Sequence, residues 1–197
     1  MKRVLYLSVF MCCGLGAVVA GSQKRPDVRK LYAEFTQEET TDTAAQGILE
    51  LARKDLHARE YLVQKLPSII RGRPSGRVWL NAVRLAGALK AVETVPALTQ
   101  ALSRGPTGGT LTLGEYMRLE TDAVGKALAD IGDPSVPALA TVLRQGDHPM
   151  RQRATLILLN IETAAARKAL SEHLPDERDL EIRDLIEHEL KGGGRPS

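Results

Sequence analysis

His188-Glu189-Leu190-Lys191 copies the opening of a zinc-protease helix, in which a second His one turn later completes the metal-binding face. Position 192 is Gly, so that face carries a single imidazole and the metal lacks a ligand. His57 and Glu60 make an i, i+3 pair with no third member, which suits a solvated helix face better than a proton relay. His148 and His173 stand apart from both. There is no Ser-centred elbow and no cluster of carboxylates, and the only cysteines, Cys12 and Cys13, lie in an N-terminal apolar run. The pattern therefore yields no catalytic, cofactor-binding or metal-ligating candidate, and no cofactor is expected.

Cations and one loop remain. Arg71-Gly72, Arg104-Gly105 and Arg144-Gln145-Gly146 recur at the ends of expected helices. Arg can complement the negative end of a helix dipole, with Gly in the left-handed position beyond it. The same arginines can instead form a basic rail for an acidic partner. The stretch Gly105 to Gly114 is rich in Gly and Thr and includes Thr107, Thr110 and Thr112. It lacks the Gly-Lys-Ser/Thr ending of a phosphate loop. It reads either as a connector or as a binding loop on one edge of the fold. Arg71, Arg104, Thr107, Thr110, Thr112 and Arg144 are the candidate partner-binding residues.

Helices must position these residues. No sustained run of alternating β-branched residues predicts a strand. Aromatics are few, with one Trp, four Tyr and two Phe, so Ala and Leu must fill the seams. Apolar periodicity predicts helices over 27–38, 43–54 (capped by Thr43), 57–71, 77–92, 93–104, 115–131, 134–145, 149–160, 163–173 and 177–191. Pro67 should kink or split the third of these. Asp133 is expected to cap the helix that Pro134 opens. In the last helix, Asp179, Arg183, Glu187 and Lys191 form an i, i+4 ladder of alternating sign opposite an apolar face.

Two stretches are near-copies. Residues 82–105 and 123–146 each read as an apolar helix, a short turn, a second helix opened by Val-Pro-Ala-Leu, and a glycine stop. Ala129-Asp-Ile-Gly-Asp-Pro-Ser-Val-Pro-Ala-Leu139 resembles a HEAT repeat of the compact bacterial type. Val95-Pro96-Ala97-Leu98 is a second copy without the Gly-Asp-Pro turn, and Asn160-Ile161-Glu162 with Lys168-Ala169-Leu170 is a weaker third. The resemblance covers residues 79–174 and, loosely, 43–71. It implies an all-α fold: a right-handed α-solenoid of about four HEAT-like helical pairs, closed by a C-terminal capping helix. It also implies that the second helix of each pair lines the concave face, where the Arg-Gly stops would lie. The motif is specific for fold and nearly empty for function.

Residues 1–20 read as a signal peptide. Lys2 and Arg3 precede Val4 to Ala20, which carries no charge, and Val18-Val19-Ala20 offers a small-residue exit before Gly21. The alternative is an uncleaved anchor, which Lys24, Arg25, Arg29 and Lys30 would favour. The organisation expected is 1–20 targeting segment, 21–42 N-terminal helix and linker, 43–191 repeat domain and 192–197 mobile tail. With 27 Lys and Arg against 24 Asp and Glu, the charge balance does not suggest a nucleic-acid binder. The expected function is an exported, periplasmic or extracellular, non-catalytic scaffold that binds another protein. A membrane is met only through an uncleaved N-terminal segment. The alternatives are an accessory or lyase-like subunit acting on a small ligand, and a structural spacer.

Overall fold

The computed structural model describes residues 27–72, 76–104, 119 and 122–192. Among them every regular element is helical and there is no strand. In chain order the α-helices are α1 Val28–Phe35, α2 Thr41–Lys54, α3 Leu56–Gly72, α4 Gly76–Ala88, α5 Val95–Ala101, α6 Ala123–Ile131, α7 Val136–Gln145, α8 His148–Ile161, α9 Ala164–His173 and α10 Leu180–Leu190.

Hydrogen bonds between helix ends fix their directions. Asn81 in α4 donates to Asp42 at the start of α2 over 2.7 Å, and Trp79 Nε1 donates to the Ile70 carbonyl late in α3 over 3.1 Å. At the opposite edge, Arg59 near the start of α3 donates to the Leu89 carbonyl just beyond α4 over 2.7 Å. Ser135, before α7, donates to the Leu128 carbonyl near the end of α6, and Thr163, before α9, donates to Asp133, before α7. Arg153, early in α8, donates to Asp122 before α6 and to the Leu102 carbonyl just past α5. His148 at the start of α8 pairs with Asp179 before α10. The even-numbered helices therefore run one way, and α3, α5, α7 and α9 the other. α2, α4, α6, α8 and α10 touch in succession, and so do α3, α5, α7 and α9. One edge gathers the N-termini of the first set and the C-termini of the second.

Buried apolar side chains form one continuous cluster from Phe35 to Ile186. Small residues bring α4 and α6 together. A Cβ added at Gly87 would stand 2.9 Å from the Ala127 Cα, a distance that real contacts do not show. The two near-copies also fold alike. Val92–Thr94 and Asp133–Ser135 are 3-10 turns, and each leads into a helix that opens with Val-Pro. Thr94 donates to the Ala91 carbonyl, Ser135 donates to the Gly132 carbonyl, and Leu98 and Leu139 are both fully buried.

Several local expectations are corrected. α2 starts at Thr41, so Thr43 lies inside the helix; Thr40 turns its hydroxyl back to the Glu34 carbonyl. α3 runs through Pro67 without splitting, because packing of the buried ring and its neighbours outweighs one missing donor. α4 ends at Ala88 rather than at Val92. Lys90 adopts a left-handed φ of 48° and the Ala91 amide returns to the Ala86 carbonyl over 2.9 Å, which closes the helix. α6 begins at Ala123, well after residue 115, with Asp122 capping the Gly125 amide; Leu119 has a φ of 47°. Asp133 accepts from Thr163 and makes no cap bond to α7. The last helix starts at Leu180, capped by Asp179 through the Glu181 and Ile182 amides. That leaves a ladder of Arg183, Glu187 and Lys191 without its first rung. The expected targeting segment, the loop 105–114 and all but Gly192 of the tail lie outside the described residues. Among those described, no helix is long and apolar enough to cross a membrane.

Candidate functional site

The turn between α7 and α8 has a depression on each side. Towards α5 lies a groove of about 490 Å³, floored mostly by the apolar groups of Pro96, Ala138, Val142 and Met150 and rimmed by Thr99, Gln100 and Thr141. Towards α9 lies a cavity of about 360 Å³ lined by Arg144, Arg151, His173, Asp176, Glu177 and Arg178. Gly146 borders both. It is not left-handed, as a helix-stopping Gly would be: its φ is −73°. Space explains it, since an added Cβ would lie 2.7 Å from the Val142 carbonyl oxygen and 3.0 Å from the Met150 Cβ.

Glu177 organises the cavity wall. It belongs to no helix and its side chain is buried. The Arg151 guanidinium holds it bidentately, Nε to Oε2 at 3.0 Å and Nη2 to Oε1 at 3.1 Å. The Asp179 amide donates to Oε1 over 2.9 Å, and His173 Nε2 lies 2.9 Å from Oε2. Burial by itself would raise the carboxyl pKa. Hydrogen bonds from Arg151, the Asp179 amide and His173, with the Arg151 charge, outweigh it and lower the pKa to about 2. Glu177 is thus a poor proton acceptor at neutral pH, and it fixes the orientation of Arg151 and His173. An ionised Glu177 makes His173 Nε2 the donor. The other ring nitrogen, Nδ1, is buried without a hydrogen-bond partner among the described residues. Arg151 also donates to the Gly146 carbonyl over 3.3 Å, which ties this wall to the end of α7.

Two guanidiniums at the cavity have no carboxylate of their own. Among the described residues Arg178 forms no ion pair, and Arg144 makes only a 3.3 Å bond from Nη2 to the Thr141 hydroxyl. Both are exposed. Asp176 is also exposed and lines the same space without an ion pair.

Of the residues singled out from the sequence, Arg144 lies at this cavity. Arg71 and Arg104 occupy matching places at the ends of α3 and of the turn after α5, on the same edge, but do not line it. Thr107, Thr110 and Thr112 lie outside the described residues. His57 and Glu60 stand 3.7 Å apart on an exposed helix surface. Sequence reasoning missed Arg151, His173, Glu177 and Arg178. Arg151 and Glu177 are 26 residues apart, and nothing local pairs them. Asp176-Glu-Arg-Asp179 reads as an ordinary charged segment.

A second buried ion pair is sealed from solvent. Arg153 grips Asp122 through Nε and Nη2 at 2.7–3.0 Å and also donates to the Leu102 carbonyl. The two side chains are 2 % and 1 % exposed, so the pair is a structural clasp between α5, α6 and α8. Among the described residues no group of three His, Cys, Asp or Glu side chains converges as a metal site would require. Comparison with family models, with curated proteins and with solved structures finds no match to this chain.

Proposed function

We propose that this chain is a HEAT-like α-solenoid of about four helical pairs, α2/α3, α4/α5, α6/α7 and α8/α9, which works as a non-catalytic scaffold for another protein. α1 precedes the array and α10 caps it. The observation that carries this reading is the matching geometry of the two near-copies, from the buried hydroxyl at the 3-10 turn to the Val-Pro start and the buried Leu of α5 and α7. Contacts that pass from each helix to its counterpart in the next pair support a stack in which neighbours bury one another. The groove between α5 and α7 lies between two second helices, where a solenoid offers an extended surface. We also propose export, with residues 1–20 as the targeting segment.

Site-specific photocross-linkers at Gln100 and Thr141, both exposed at the groove, test the scaffold. In the native host a discrete protein adduct is expected from these positions and not from exposed Glu50 on α2. Equal labelling from all three, or none, would refute the reading. N-terminal sequencing of the isolated protein tests export: a start at Gly21 is expected, and an intact Met1 opposes it.

A further inference from the structure

Guanidiniums without carboxylates of their own are what a carboxylate ligand requires. Arg144 comes from the last turn of α7 and Arg178 from the segment after α9, and both line one cavity. Arg151 stands on the same wall, already neutralised by Glu177 and held at two points. The C-termini of α7 and α9 and the carboxylate of Asp176 oppose an anion here. Two unpaired guanidiniums outweigh one carboxylate. The planar fork of Arg suits a planar carboxylate, which it can meet with two parallel hydrogen bonds. Among the described residues the buried Nδ1 of His173, in the same wall, has no hydrogen-bond partner. Gly146 borders both this cavity and the apolar groove, so the two sites are neighbours.

We propose that the cavity between α7 and α9 binds the carboxylate of an acidic residue in a partner polypeptide, gripped by Arg144 and Arg178, while a neighbouring apolar residue of that polypeptide occupies the groove between α5 and α7. The polypeptide source rests on the scaffold reading above. The carboxylate chemistry rests on the cavity alone. Asp176, facing the bound carboxylate, limits the affinity and selects against a more highly charged anion.

The test uses the full chain, and NMR of the Arg Nε–H groups and the His173 ring. The probes are propionate, inorganic phosphate at matched ionic strength, and the capped peptide Ac-Leu-Ala-Glu-NH2 with its glutamine counterpart. Saturable shifts at Arg144 and Arg178 are expected with propionate, with tighter binding of the Glu peptide. The Gln peptide, and the double variant Arg144→Gln/Arg178→Gln, should each bind at least tenfold more weakly. Asp176→Asn should tighten the Glu peptide severalfold. Both arginines are exposed, so the double variant should keep the wild-type melting temperature. The proposal is overturned by non-saturable shifts, by unchanged affinity in the double variant, or by phosphate binding as tightly as propionate. Binding of propionate with no preference for the Glu over the Gln peptide overturns the polypeptide source and leaves the scaffold reading standing. The scaffold reading fails separately, on the cross-linking from Gln100 and Thr141.

Discussion

Asp122 and Arg153 show how one interaction can hold three helices. The carboxylate caps α6 through the Gly125 amide and also neutralises a guanidinium that α8 buries. Removing one partner strands the other charge away from water. Arg153→Leu should lower the unfolding free energy by about 3–5 kcal/mol in urea titrations. The double variant Asp122→Asn/Arg153→Leu keeps a capping side chain and removes both charges, so it should recover more than half of that loss. Strict additivity of the two single changes would contradict the clasp. Glu177 has a pH signature. Its pKa falls from the ordinary 4.5 to about 2 on folding, so its stabilisation is complete above about 4.5 and drains away as pH falls towards 2. Glu177→Gln should cost about 2 kcal/mol at pH 7. The gap from wild type should narrow steadily below pH 4.5, and a gap independent of pH would remove Glu177 from this role.

Helix contacts set different limits. Ala is favoured over Gly inside a helix by up to about 1 kcal/mol, so propensity alone predicts that Gly87→Ala stabilises α4. Packing reverses the sign, because the new Cβ would meet the backbone of α6, which cannot rotate away. Overpacking of this kind costs about 1–3 kcal/mol, and the net expected in thermal unfolding is a loss of about 1–2 kcal/mol. Gly72, at the end of α3, has open space around its Cβ position, and Gly72→Ala should gain up to about 1 kcal/mol. Equal effects at the two sites would mean that α4 and α6 do not pack as closely as described. Helix starts and stops were less legible than helix faces. Thr43 and Asp133 carry local cap signals. The chain starts α2 after Thr40, which makes no side-chain cap bond, and caps α6 and α10 with Asp122 and Asp179. Each of these three side chains meets a neighbouring element.

Across the fold, long-range contacts link each helix to its near neighbours in the two successions. In the proposed solenoid, stability is roughly a sum of local units and of the interfaces between them. Truncating Ile186, fully buried at the C-terminal end, should cost about 2–5 kcal/mol as Ile186→Ala. Amide exchange should then accelerate most in α8, α9 and α10 and least in α2 and α4. Uniform acceleration would point to a single cooperative unit in place of a stack.

The all-helical class, the apolar faces and the likeness of residues 82–105 to 123–146 are present in the amino-acid order, because helix period and helix-breaking residues act over a few positions. The Arg144 cavity is different. Its wall joins Arg151 to Glu177 and His173, from opposite ends of a helical hairpin, and only the antiparallel return of α9 brings them within hydrogen-bond distance. The depression of the Glu177 pKa and the buried nitrogen of His173 arise from that encounter, since electrostatics and desolvation depend on distance in space and not along the chain.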